Sequence, residues 1–385
     1  MKIQIQAEIF RTMTERAVIA AAKKGISSVV ESVLIVAFSD KVIAKAYNLA
    51  HYAEITTDAV NVIEEGSIVI HRDNLKSLYN MKGIITIETS EKAGIVKSDK
   101  KTSRFFIQDK PDVFPDVSIG ETKHAFTIKL SELLAVMTKL KPYLSKSDAK
   151  PILKGIHVKG TEGFGTFYGC TGFYGIRQTI HGNFDTFSIV IPEVSKELKD
   201  ISGVKNNKQD CDITVTHSKR FVVYEGADFK FATRLLEGEY INLENPFNST
   251  FESRFNADAS EICGLAKEYK DILIHKTATS KTFLPMIFTN VGGVLSTIAL
   301  SNQIQTMDNL DSADNVSMPE EYIQSFNPEF VETVMKTFGK ESVCVNANKS
   351  LWRINGNSDC SALLVPMSSD KDVVSKIHDF IQNVA

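Results

Sequence analysis

Along this chain the spacing of apolar residues switches from the two-residue period of a strand to the longer period of a helix at recurring places. From Ser188 to Ile201 the residues SIVIPEVSKELKDI read as an apolar strand, a proline and a short amphipathic helix; Ser67 to Leu78, SIVIHRDNLKSL, make the same change 121 residues earlier. IQIQAEIFRTM from Ile3 and FTIKLSELLAVM from Phe126 form a second pair at an offset of 123. A third, RFFIQDKPDVFPDV around Phe105 and KFATRLLEGEYINL around Phe231, lies at an offset of 126. Three matches near one period predict a repeat. A third copy follows in SRFNADASEICGLAKEYK from Ser253 and SFNPEFVETVMKTF from Ser325.

Between the helices, alternating β-branched segments such as VLIVAFSDKVIAKAYN and CDITVTHSKRFVVYEG read as antiparallel hairpins. The predicted architecture is α+β: three repeated domains over 1–122, 123–248 and 249–367, each with two helices packed on antiparallel sheets, and a C-terminal extension over 368–385. Gly, Pro, Asn and Ser interrupt the pattern near Gly120–Lys123 and Pro246–Thr250, where linkers are expected.

Composition narrows the class. The 385 residues, 43% hydrophobic and 24% charged, suit a soluble chain with two or three cores. Charges interrupt the N-terminal apolar run, and no uncharged stretch approaches the roughly 18 residues of a membrane span, so no membrane association is expected. The five cysteines, Cys170, Cys211, Cys263, Cys344 and Cys360, form no CxxC pair and read as reduced thiols in a cytoplasm. A net charge of -3 argues against a uniformly basic surface but not against a local one.

Four segments resemble the bacterial sliding clamp, the beta subunit of the replicative DNA polymerase: KPILKGIHV (Lys150–Val158), CTGFYGIR (Cys170–Arg177), RLLEGEYIN (Arg234–Asn242) and LLVPM (Leu363–Met367). The resemblance covers almost the whole chain in order. It implies a head-to-tail homodimer, a six-domain ring whose helices line a central hole around duplex DNA. It further implies a processivity factor without catalytic activity or cofactor, tethering the replicative polymerase and served by a clamp loader that itself hydrolyses ATP.

Charge fits such a ring in part, since the windows of the third repeat, 258–281 and 329–341, carry 0 and -1. The helices expected to line the hole, with their following loops (7–24, 72–82, 129–150, 193–208, 258–281 and 329–341), carry +7 together, which leaves -10 for the rest. A basic lining holds phosphates without reading sequence. Lys24, Lys146 and Lys150, in loops where clamps approach DNA, and secondarily Lys23, Lys139 and Lys141, are the expected contacts.

The resemblance also implies a cleft for apolar-anchored partner peptides, walled by Leu153, Thr171, Phe173, Tyr174, Ile176, Ile241, Val365, Pro366 and Met367. Here the sequence departs from the family: Gly175 stands in place of the usual arginine, with Arg177 close by; Gly172 and Phe173 replace Asp-Gly; Ile241 replaces proline. The chain also runs on past Met367 for 18 residues. Ser369 or Asp370 would cap a helix with Val373, Val374, Ile377, Phe380, Ile381 and Val384 on one stripe, either near the cleft in competition with partners or docked elsewhere on the third repeat. Arg104 and Phe105 match the first-domain side of the family's dimer interface.

Enzyme signatures are absent: there is no GxxxxGK[ST], HExxH or GxSxG, and GFGTFYG from Gly163 reads as a turn into a strand. Asp308, Asp311 and Asp314 lack EF-hand spacing, and the eight histidines lack metal-ligand spacing, so no metal is expected. The alternative function is a clamp-fold scaffold or partner-binding protein that does not encircle DNA.

Overall fold

The computed structural model describes residues 1–90, 93–204, 210–276, 281–301, 304–357, 359–368 and 371–384. Every described strand pairing is antiparallel. Eight helices are present among these residues: α1 (Ala7–Ala17), α2 (Arg72–Leu78), α3 (Leu130–Leu140), α4 (Ser195–Ser202), α5 (Glu244–Phe247), α6 (Ala259–Ile272), α7 (Pro328–Lys336) and α8 (Lys371–Val384).

The strand-to-helix change read from the sequence occurs six times. Strands Lys2–Gln6, Gly66–His71, Lys123–Lys129, Phe187–Pro192, Ser253–Asp258 and Ile323–Phe326 lead directly, or within two residues, into α1, α2, α3, α4, α6 and α7. Local hydrogen bonds hold several of these joints by satisfying N–H groups that a helix start leaves open. Asn327 accepts from the Glu329 amide at 2.9 Å, and Asp210 accepts from the Ser131 amide at 2.9 Å. Glu193 accepts from the Ser195 amide at 3.1 Å.

Contacts divide the chain into two compact units. The first comprises Met1–Thr138, Val158–Gly165 and His181–Glu237. It holds a five-stranded sheet ordered Val60–Glu64, Lys2–Gln6, Ile84–Thr89, Ala93–Lys97, Thr102–Phe106. Its nine-stranded sheet contains both predicted hairpins, Ser32–Ala37 with Val42–Tyr47 and Asp212–His217 with Phe221–Glu225. The 111–122 segment packs Phe114, Val117 and Ile119 on a core of Tyr47, Tyr52, Phe221, Val223 and Ala232.

The second unit comprises Lys139–His157, Thr166–Ile180 and Gly238–Ala385. In it the strands Tyr174–His181, Cys360–Leu364, Leu351–Asn355, Ser342–Asn348, Ser253–Asp258 and Asp314–Ser317 pair in that order. A four-stranded sheet runs Gln305–Asn309, Val294–Leu300, Met286–Val291, Ile323–Phe326. The core gathers around Trp352, fully buried against Phe255, Phe288 and Phe326. Where a linker is expected at Pro246–Thr250, α5 instead buries Phe247 completely, because Arg177 stacks on its ring at 4.6 Å and Arg353 donates to its carbonyl at 2.8 Å. Gly163, at φ +89°, makes the expected turn into the strand Phe164–Cys170.

Candidate groove and basic surface

Phe173, Val365 and Met367 are exposed apolar side chains of the second unit, at 59%, 38% and 37%. They are brought together by backbone bonds. A tight turn projects Phe173: the Thr171 hydroxyl accepts from the Phe173 and Tyr174 amides at 3.3 Å, and Gly172 sits at φ +100°, a region open to glycine. The Val365 amide donates to the Phe173 carbonyl at 2.9 Å, and the Met367 amide to the Ser325 carbonyl at 2.7 Å. The Val365–Met367 strip therefore runs from the turn to the edge of the four-stranded sheet.

Aromatic rings pack beside this strip, a candidate groove. Phe330 of α7 stacks with Phe173 at 5.6 Å and meets Tyr174 at 5.0 Å; Tyr174 lies edge-on to the buried Tyr143 at 5.4 Å. The Tyr174 hydroxyl donates to the Pro142 carbonyl at 3.2 Å, and burial pushes its pKa up, so it stays a neutral donor. Burial likewise raises the Cys170 thiol and pushes Cys360 up to about 11. The chemistry is that of an apolar binding surface with two aromatic stacks, suited to apolar anchors.

Of the nine residues expected in the cleft, Thr171, Phe173, Tyr174, Val365, Pro366 and Met367 meet at this groove. Leu153 and Ile176 are buried at 3% and 0%. Ile241 is half-buried in the segment leading to α5. Arg177 lies on the same face of the strand as Gly175, two residues on, and its guanidinium is engaged on the Phe247 ring at 4.6 Å. Sequence reasoning missed Phe330 and Ser325. Phe330 was legible only as an aromatic beside the buried stripe Val331, Val334 and Met335 of α7.

The basic positions differ in what already occupies their ammonium groups. Lys23 and Lys24 are exposed in the loop after α1, which is pinned by an Arg72 guanidinium bond to the Ala22 carbonyl at 2.6 Å and a Gly25 amide bond to Glu31 at 2.8 Å. That amide holds the Glu31 carboxyl below its usual range. Lys146 and Lys150 are exposed in the second unit. None of these four makes an ion pair with a described residue. Lys139 is half-buried and donates to Gln178 at 2.9 Å, and Lys141 is exposed just beyond α3. Among the described residues no cluster of His, Cys, Asp or Glu could hold a metal; Asp308 instead accepts from the Tyr269 hydroxyl at 2.5 Å.

No protein-family model matches the sequence, and no curated protein matches it. Solved structures do. The chain superposes on the beta subunit of DNA polymerase from Streptococcus pyogenes with a TM-score of 0.80 at 18% identity, and on the DNA polymerase sliding clamp from Bacillus subtilis with 0.80 at 16%. It matches the DNA polymerase III subunit beta from Pseudomonas aeruginosa with 0.81 at 15%. Each match covers 96% of this chain and 100% of the other.

This is the sliding-clamp fold. At such identities what persists is the order of strands and helices and the burial pattern, not the side chains on the surface. The strand Thr102–Phe106, which holds the expected Arg104 and Phe105, is the outer strand of the five-stranded sheet and bonds Ala93–Lys97 along one edge. There the alternation decides which side chains are presented. Arg104 and Phe106 share the exposed face, with the guanidinium 5.9 Å from the ring and Phe106 74% exposed. Phe105 turns inward at 7% and fills the space over Gly94, where an added Cβ would lie 2.2 Å from its ring. Of the expected pair, Arg104 is exposed and Phe105 is buried within the chain. No helix among the described residues is long and apolar enough to cross a membrane.

Proposed function

We propose that this chain is a DNA sliding clamp: a non-catalytic processivity factor, three repeats long (1–122, 123–248 and 249–367), of which two copies close head to tail around duplex DNA. One observation carries the reading: the likeness to clamps takes in 96% of this chain and all of each clamp, so it extends over the repeats from end to end, as a closed wall requires, and not over a single shared domain. A closed ring of identical chains also satisfies the preference for interfaces that close by rotation.

Two surfaces support the assignment. Lys23, Lys24, Lys146 and Lys150 make no ion pair with a described residue, which suits sequence-independent phosphate contacts, with Lys139 and Lys141 in secondary roles. The exposed strip at Phe173, Val365 and Met367 suits the short apolar-anchored peptides by which a replicative polymerase and a clamp loader would be held. The edge strand at Arg104 and Phe106 offers unpaired backbone groups for the partner copy.

The test is topological. Protein threaded on a nicked circular plasmid is expected to survive gel filtration with it and to fall off once the plasmid is cut. Retention that linearisation leaves unchanged, or none on either form at concentrations where six-lobed rings are visible by negative-stain microscopy, rejects the reading and favours a scaffold that kept the fold without encircling DNA.

A further inference from the structure

Helix α8 lies beyond the groove strip, and its placement has a consequence for that strip. Val374, Ile377, Phe380 and Ile381 fall on one face of it. Ile377 is fully buried with Ile287 and Ile298, ringed by Leu300, Met307, Ile323, Phe380 and Ile381. The tail thus docks on the four-stranded sheet. The expected cap at Ser369 or Asp370 lies outside the described residues, as do the side chains of Val373 and Val384.

The receiving strands are buried on both faces. Ile287 and Ile298 face α8, whereas Phe288 packs with Phe326 and Trp352, and Thr297 bonds the Tyr269 hydroxyl of α6 at 3.1 Å. Antiparallel sheets commonly leave one face to water; here the outward face is apolar and filled by a helix. The edge strand Ile323–Phe326 joins this face to the groove. Its Ile323 packs under α8, its Ser325 carbonyl holds the Met367 amide, and its Gln324 accepts from Trp352 Nε1 at 2.6 Å.

We propose that the outward face of the four-stranded sheet is a helix-docking surface whose occupant is the chain's own α8, and that docking there holds Ile323–Phe326, and through it the Val365–Met367 strip, in the form that presents the groove. The helix therefore works in favour of partner binding, not in competition with it. The role of the groove as a peptide site rests on the function proposed above; the coupling does not. A 14-residue helix is marginal by itself, so a few apolar anchors decide whether it stays docked. Linkage is reciprocal: a peptide that needs the ordered strip binds more tightly when α8 is docked, and its binding stabilises the docked helix by the same factor.

The experiment compares the full chain, the Ile377→Asp variant and a chain ending at Ser368, by amide hydrogen exchange and by titration with a labelled peptide bearing two apolar anchors. Expected in both altered proteins is exchange at Met367 about tenfold faster or more, with the Leu351–Asn355 strand unchanged, a shift in the emission of Trp352, the one tryptophan, and peptide affinity about fivefold weaker. Unchanged exchange at Met367 in both overturns the proposal, as does tighter peptide binding after truncation. Faster exchange with no peptide bound by any of the three proteins upholds the coupling and counts against the groove's function alone.

Discussion

The Val365 amide donates to the Phe173 carbonyl at 2.9 Å, while both side chains stand in solvent. A backbone bond thus fixes two apolar groups side by side without burying either. Such an arrangement stabilises the fold little and costs an exposed apolar surface, which is understandable if a partner covers it. Because these side chains are exposed and add little to the core, Phe173→Ala and Met367→Ala are expected to leave the unfolding free energy within about 0.5 kcal/mol of the parent. Each should weaken an apolar-anchored peptide by about 2 kcal/mol, roughly thirtyfold, as anchors at the centre of such sites do. Calorimetric titration beside denaturant unfolding separates the two effects.

Neighbouring phenylalanines on the edge strand should behave oppositely. Phe106→Glu places a charge on an exposed face and is expected to convert dimer to monomer in sedimentation velocity while the monomer keeps its stability. Phe105→Ala empties space packed over Gly94 and should cost about 3 to 5 kcal/mol of monomer stability. Loss of the dimer in the Phe105 variant alone, with Phe106→Glu still dimeric, would reverse the assignment of faces.

Replacing Lys23, Lys24, Lys146 and Lys150 together by alanine removes four ammonium groups that make no ion pair with a described residue. Folding should be unaffected. The plot of log affinity for duplex DNA against log salt should flatten by about 0.9 for each lysine that touches a phosphate. Lys139→Ala is expected to change the slope less, since that ammonium is already given to Gln178. A slope unmoved by the four substitutions together would place the DNA surface elsewhere.

Legibility of the sequence followed the kind of signal each feature leaves. The strand-to-helix joints were readable because a change of period from two to 3.6 is a local event, and it recurred at nearly constant spacing. The groove was half readable. Thr171 to Tyr174 and Val365 to Met367 carry the turn and the strip within short segments, whereas Phe330 enters from α7 about 150 residues away and only the fold brings it to Phe173. The burial of Leu153 and Ile176 was not readable, because an apolar residue in a matching motif looks the same whether it lines a surface or supports it. The choice between Phe105 and Phe106 turned on the phase of one strand, which a one-residue slip reverses.

Acid should loosen the packing of α6 on α7 through Glu332. Burial alone would raise its carboxyl, but Lys270 and Lys336 both bond it, and together they outweigh burial and hold it below the usual carboxylate range. A carboxyl depressed in the folded state adds stability that is complete above its unfolded value, about 4.3, and that is lost as pH falls through the lower folded value. Stability measured by denaturant is therefore expected to decline below about pH 4.3 more steeply in the parent than in Glu332→Gln, which has no proton to take up. At neutral pH the variant should be weaker by about 1 to 2 kcal/mol, because a neutral amide is a poorer partner for two ammonium groups. Parallel acid limbs for the two proteins would mean that the Lys270 and Lys336 contacts contribute nothing that depends on charge.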